Sequence, residues 1–503
     1  MPAHGRGRRL RDVRERVRIA EVIVRSAPLV PQVLPGAWRL ASCGPFKPVT
    51  CAFHGPDLVV PMPAEVSALM QLLIVVMFFG ALALLVRGVV GAGMARRVLP
   101  VLLLALAVRL VVYLVLDRGA LIGYGGDNVG YELLGIEIAE RWQAEGISYV
   151  TADGVGRPYS VPLHSNLFAL VVYLCGGPAP MACTAFVGFL ACVLCLILYR
   201  FALLIGADER GAFRLLAVMA FMPAFLLHTA DTYKDGFNAL FVVAALALGV
   251  SLTRRYALWK LLLLPPLLWC VWGVRPYMVY MCLLPLALGM TGLKRLISLR
   301  AMVITIVALF VVLFDPASLQ ESAPMEDMWS RLAQGQSSAA LNSNAGLSGI
   351  ARGSGVRFED GGNVWSHLGP KIFYTILSPF PWTGGSLALQ LGKIDTLVWY
   401  MLLALAVAGA RRLWSTDRST LLILLLFIVP ATVVYASTMA NIGLIFRQRM
   451  PVVMVTSLLA AVAWSGARRD GPAAGEPPVP SEPDEEPRVV SEPDEAPSPA
   501  GAR

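Results

Sequence analysis

Apolar residues along this chain come in long unbroken blocks, not in alternating or two-faced patterns. Residues 98–108, VLPVLLLALAV, contain no polar position. A helix packed in a water-soluble domain keeps a polar face at a period of 3.6 residues, so such blocks do not read as soluble core. Their length, roughly 17–20 residues, is what a helix needs to cross a hydrocarbon layer about 30 Å thick. Lipid offers no hydrogen-bond partners, so a backbone that crosses it must close its own bonds as helix.

The pattern predicts an all-α polytopic membrane protein with about eleven transmembrane helices. They fall near 66–86, 98–116, 181–202, 213–229, 236–252, 258–274, 276–293, 301–314, 394–410, 419–436 and 451–466. Pro265 and Pro266 lie inside one of them, so neighbouring protein must cover the backbone groups they free. Residues 163–175, LHSNLFALVVYLC, are apolar but stop at Gly176-Gly177-Pro178. That block is too short to cross comfortably and is expected as an interfacial helix.

The intervals between blocks set the orientation. Arg87, Arg96 and Arg97; Arg200, Arg210 and Arg214; Arg254, Arg255 and Lys260; Lys294, Arg295 and Arg300; Arg411, Arg412 and Arg418; and Arg468 and Arg469 occupy alternate connections. An excess of Lys and Arg marks the cytoplasmic side. The opposite side then carries two long segments, 117–180 and 315–393, the second rich in Gly, Ser and Asn.

Three regions follow. Residues 1–61 are Arg-rich at first (RGRRLRDVRERVR) and then irregular, without the ordered parts of a signal peptide. They are expected to be a disordered extension or to precede the true start at Met62. Residues 62–469 form the membrane domain. Residues 470–503 repeat SEPDE at 481–485 and 491–495, and their Pro and acid content predicts a disordered cytoplasmic tail.

Only 15% of residues are charged, against about a quarter in soluble domains. The formal net charge of +9 does not describe a nucleic-acid-binding face, because the basic residues sit in short clusters between apolar blocks. Cys192 and Cys195 have CxxC spacing, but inside a span with no His or acid nearby, so they read as small hydrophobes. The Gly-rich stretch 346–362 lacks the Lys-Ser or Lys-Thr of a phosphate-binding loop. Phe373, Tyr374, Phe380, Trp382, Trp399 and Tyr400 read as an aromatic belt at a membrane interface.

Ionisable residues gather on the side that should lack them. In GYGGDNVGYELLGIEIAERW, Asp127 follows two glycines and precedes an amphipathic helix. It reads either as an N-cap or as a site carboxylate that the glycines let a ligand approach. In HTADTYKDGFNA, His228, Asp231, Lys234 and Asp235 crowd the outer end of a span. Arg275 lies in GVRPY at a hairpin tip, and Arg447 and Arg449 lie in IFRQRMP before the last span. A guanidinium fork holds phosphate bidentately, although Arg at such a depth also snorkels to lipid head groups. Arg109, inside a span, either pairs within the bundle or lines a cavity.

The order of these motifs resembles that of the GT-C membrane glycosyltransferases, in the broad bacterial group similar to the dolichyl-phosphate-mannose–protein mannosyltransferases. GGDNVGY, PYSVPLHSNLF, HTADTYKDG, RPY and NIGLIFRQRMP carry the resemblance, which covers most of residues 98–466. It implies a GT-C-like fold with interfacial helices in the extracytoplasmic loops. Asp127 corresponds to a base or metal-associated acid, and Asp231 or Asp235 to a second acid. Lys234, Arg275, Arg447 and Arg449 correspond to groups that hold the polyprenyl phosphate. Tyr131, His164 and Tyr277 are the other substrate-binding candidates in these motifs. Two positions depart from the pattern: Asn128 stands where many members have the Glu of an Asp-Glu pair, and His164 follows Pro-Leu where a basic residue often precedes Pro-Pro-Leu.

The resemblance implies transfer of a hexosyl or pentosyl group from a polyprenyl-phosphate-linked donor to an extracytoplasmic glycan, lipid or protein. It places the protein in a bacterial-type cytoplasmic membrane, in cell-envelope or exopolysaccharide assembly, with a divalent cation as an open cofactor. A polysaccharide polymerase acting on lipid diphosphate-linked glycans would use the same outward arginines. A flippase or transporter of lipid-linked saccharides should carry ionisable groups near the midplane, where this chain offers essentially Arg109.

Overall fold

The computed structural model describes residues 64–119, 127–151, 162–290, 368–382, 387–437 and 447–465. Every regular element among them is a helix. In chain order these are α1 (Ala64–Val89), α2 (Ala92–Gly119), α3 (Asp127–Glu145), α4 (Pro162–Cys175), α5 (Pro180–Leu204), α6 (Glu209–Phe221), α7 (Pro223–Thr229), α8 (Asp235–Arg254), α9 (Leu258–Val274), α10 (Pro276–Met290), α11 (Leu368–Leu377), α12 (Leu387–Thr416), α13 (Arg418–Ser437) and α14 (Met450–Trp464).

Six of them, α1, α2, α5, α8, α12 and α13, are long and apolar enough to cross a membrane. α6 and α7 pass the same test as a pair bent by 56°. The chain is therefore a polytopic membrane protein, helical throughout its described residues. The expected number of spans is not reached among the described residues. α9, α10 and α14 are apolar but shorter, and 301–314 lies outside the described residues, as do 1–61, 470–503 and most of 315–393. α9 and α10 are short because the chain breaks at Arg275-Pro276, where proline cannot donate to a continuing helix.

Two apolar clusters hold the described part together. The larger draws on α1, α2, α5 to α10 and α12 to α14, with Leu102, Leu198, Leu215, Val243, Leu402, Phe427 and Leu458 among its fully or nearly fully buried members. The smaller seats α3 and α4 on one end of the bundle through Leu134, Ile138, Phe168, Val172, Ala182 and Phe237. Gly135 allows this seating: a Cβ there would meet the Phe168 Cβ at 3.0 Å. Asn166 of α4 ties down the chain after α3, accepting from the Val150 N–H at 3.0 Å and donating to its carbonyl at 2.9 Å. The buried face of α3 is Tyr131, Leu134, Ile138 and Trp142, whereas Val129 and Leu133 are exposed. α4, expected as an interfacial helix, is a 14-residue helix outside the full-length set.

The bend between α6 and α7 is held from both sides. Pro223 interrupts the helical ladder, leaving the Ala220 carbonyl and the Ala224 N–H without each other. Arg109 Nη1 donates to the Ala220 carbonyl at 3.1 Å, and Ala224 N–H donates to Asp395 Oδ1 at 2.9 Å. Arg109 also donates to the Ala105 carbonyl at 2.9 Å and, through Nε, to Thr229 Oγ1 at 2.8 Å. Thus one buried cation and one buried carboxylate replace a single lost backbone bond. Arg109 pairs within the bundle.

The charged clusters are sorted to opposite ends. Arg254 at the end of α8 pairs with Asp417 at 2.9 Å, and Lys260 donates to Ser251 Oγ at 2.7 Å. Arg412 donates to the Ser465 carbonyl at the end of α14. Asp235, at the other end of α8, is about 24 Å of helical rise from Ser251.

Candidate functional site

The 230–235 connection, between the bent pair and α8, is the hub of this end of the bundle. Asp231 turns back on its own backbone: Thr232 N–H donates to Oδ1 at 2.7 Å. The other oxygen, Oδ2, accepts from the Asn128 amide at 2.6 Å. Thr232 Oγ1 donates to the Asn128 carbonyl at 3.1 Å. The first turn of α3 is therefore bonded twice to this connection, and Asp127, the first residue of α3, is carried there with it. The Asp127 side chain lies outside the described residues.

Asp235 is 1% exposed. Its Oδ1 accepts from Arg275 Nη2, and its Oδ2 accepts from Arg447 Nε at 3.0 Å. One carboxylate thus gathers two guanidiniums from distant parts of the chain. Arg275 Nη1 donates to the Tyr277 hydroxyl at 2.6 Å, and Arg447 lies over the Tyr233 ring, 4.5 Å from its centroid. With both oxygens occupied by cations, Asp235 is a counter-ion that shapes the arginine pair rather than a free base.

Lys234 lies over the Tyr131 ring at 5.4 Å. Tyr131 meets His164 edge to face, with centroids 4.2 Å apart, and His164 also packs on Phe168 and Phe237. His164 is fully buried, and neither ring nitrogen makes a hydrogen bond. Burial, with Lys234 adding to it, holds its pKa well below the ordinary imidazole value. The ring is neutral, with one donor and one acceptor to offer. Arg275 Nε is likewise buried without a partner. Buried polar atoms in native proteins are nearly always hydrogen-bonded, so open ones on two elements at one end of the bundle are places where a ligand's polar groups fit.

Most residues singled out from sequence come together here: Asp231, Lys234, Asp235, Arg275, Tyr277, Arg447, Tyr131 and His164. Arg449 does not join them. It donates to the carbonyls of Thr375 and Ser378, each at 3.0 Å, and so caps the end of α11. Its charge answers the helix terminus. Sequence reasoning noted Asn128 only as a departure from the family pattern and passed over Thr232 and Tyr233. Their signal was adjacency to the acids and Lys234 in the same two motifs.

The described residues do not make a cation site. Arg275 and Arg447 take the Asp235 oxygens, and Asn128 and Thr232 bond those of Asp231. Among the described residues no three of His, Cys, Asp and Glu converge as ligands.

No family model matches this chain, and no curated protein and no solved structure matches it either. The functional reading therefore stands on the residues themselves.

Proposed function

We propose that the chain is a membrane glycosyltransferase that moves a sugar from a polyprenyl-phosphate donor to an acceptor hydroxyl at the extracytoplasmic face. The observation that carries this reading is the pair of guanidiniums, Arg275 and Arg447, assembled on Asp235 beside Lys234 and the open polar atoms of His164. Fixed cations at a membrane surface suit an anionic, lipid-linked leaving group, whose developing charge they stabilise without reorganising.

In the reaction a carboxylate takes the proton of the acceptor hydroxyl. The acceptor oxygen forms a bond to the anomeric carbon as that carbon's bond to the phosphate oxygen breaks. The electron pair leaves with polyprenyl phosphate, toward Arg275 and Arg447. Asp127 is the candidate base, because Asp235 is engaged by two arginines and Asp231 by Asn128 and Thr232. Arg109, the charge a transporter would need near the midplane, is bound to backbone carbonyls and Thr229, which favours the enzyme.

The test is transfer by purified protein in liposomes, supplied with defined polyprenyl-phosphate sugars. Asp127→Asn should lower turnover by about 10²–10⁴ with the folded yield unchanged, and Arg275→Lys should weaken donor binding. Absence of transfer from every monophosphate donor, with chain extension from diphosphate-linked glycans, would establish the polymerase instead. Lipid movement without any new glycosidic bond would establish a transporter.

A further inference from the structure

At the end of the bundle opposite Asp235, α1, α5, α8 and α9 part to leave a groove of about 670 Å³. Its walls are apolar, with Leu85, Leu196, Phe201, Ala247 and Leu248 among them. Its polar lining is confined to Arg200, Ser251 and Lys260, with the Trp259 indole beside them, and no acid lines it. We infer that this groove binds an anionic glycerophospholipid, its acyl chain between the helices and its phosphate between Arg200 and Lys260.

Three observations carry the assignment. The first is the division of the lining into an apolar trough and a basic mouth, the arrangement that recognises anionic head groups between membrane helices. The second is depth. Trp259 at the mouth is 60% exposed, and Tyr256, three residues before it, is 73% exposed; such aromatics settle at the head-group level. The cations therefore lie where a phosphate lies. The third is rigidity at the mouth: Lys260 is held by Ser251 Oγ at 2.7 Å and by the Arg255 carbonyl at 3.2 Å, so its ammonium is placed before any lipid arrives.

Charge selects the class of lipid. A zwitterionic head group brings its own ammonium toward two cations, whereas a phosphatidylglycerol-type head group does not. The occupant is not the proposed sugar donor in its reacting position. Ser251 at the mouth and Asp235 at the site are about 24 Å apart along α8, so a phosphate held here cannot reach Arg275 or Arg447.

Native mass spectrometry of the full chain, released from detergent containing equal phosphatidylglycerol and phosphatidylcholine, tests the inference. The wild type should retain phosphatidylglycerol preferentially. Arg200→Gln should lower that preference about fivefold, and the double change with Lys260→Gln about 30-fold. Ala247→Trp should fill the trough and abolish retention. If it fails to fold, Arg200→Gln at its exposed position still decides. Equal retention of both lipids by the wild type overturns the inference, as does unchanged preference in Arg200→Gln. Displacement of phosphatidylglycerol by far lower concentrations of polyprenyl phosphate also overturns it, since the groove would then belong to a different lipid.

Discussion

The Asn128 amide donates to the Asp231 carboxylate at 2.6 Å, although 103 positions separate the two residues. This bond fastens the start of α3, and Asp127 with it, to the connection that leads into Lys234 and Asp235. Asn128→Ala removes the donor and should cost about 1 kcal/mol. Asn128→Asp should cost more, because it sets carboxylate against carboxylate. Its loss should be larger at pH 8 than at pH 5, where such a pair begins to share a proton. Thermal unfolding in detergent at both pH values measures this. Equal midpoints for wild type and Asn128→Asp at pH 8 would show that the contact does not fasten the loop.

Asp235 and Asp127 should fail in different ways. Asp235→Asn leaves the buried Arg275 and the half-buried Arg447 guanidiniums facing a neutral amide, and breaking a buried pair in that manner costs about 3–5 kcal/mol. The expected result is loss of folded protein, read as the monodisperse fraction after extraction. Asp127→Asn keeps its shape and should leave that fraction intact. Normal yield for Asp235→Asn, with loss of turnover alone, would mean that Asp235 reacts rather than organises.

The membrane class was legible because lipid imposes a simple rule on sequence. A long apolar block leaves helix as its one solution, and α1, α2, α5, α8, α12 and α13 follow it. The cluster at the start of α8 was legible for a related reason: Asp231, Lys234 and Asp235 are crowded where charge is costly. Partnership was not legible. Nothing local separates Arg447, which meets Asp235, from Arg449, which meets the end of α11. They are two residues apart, so they leave the chain on different sides, and each partner is far away in sequence. Arg109 was equally open, since its partner Ala220 lies 111 positions away. Pro223 carried the signal for the bend, but the block 213–229 reads as one span until the bend's partners are known.

The stitched bend makes a chemical prediction. Asp395 accepts from the Ala224 N–H through one oxygen, and an Asn side-chain carbonyl can do the same. Asp395→Asn should therefore be tolerated, whereas Asp395→Leu orphans the half-buried Ala224 N–H and should cost about 1–3 kcal/mol. Arg109→Met should cost at least as much, because it strips the Ala220 carbonyl and Thr229 together. Thermal unfolding of the three variants gives the ranking. Asp395→Asn behaving like Asp395→Leu would assign the role to charge and not to the hydrogen bond.

His164 gives the prediction with the clearest sign. In the folded protein its ring is neutral, its pKa held well below 6.5 by burial and then by Lys234, with Asp235 opposing. Tyr131 adds an aromatic edge. In the unfolded chain the ring takes a proton as the pH falls through about 6.5. The unfolded state then binds more protons than the folded one, so stability falls as pH falls. The contribution is fully present above about pH 7 and is lost progressively below about pH 6.5. His164→Asn keeps a polar side chain of similar reach and removes the titration. Its unfolding midpoint should decline less steeply than the wild type's between pH 7.5 and pH 5, and differencing the two curves cancels the other titrating groups. Lys234→Gln should make that loss smaller and end it at a higher pH, because one of the two causes of the depressed pKa has gone while the onset, set by the unfolded chain, stays. Parallel curves for wild type and His164→Asn would mean that the ring takes its proton in the fold as readily as in the unfolded chain, and that burial does not hold it neutral.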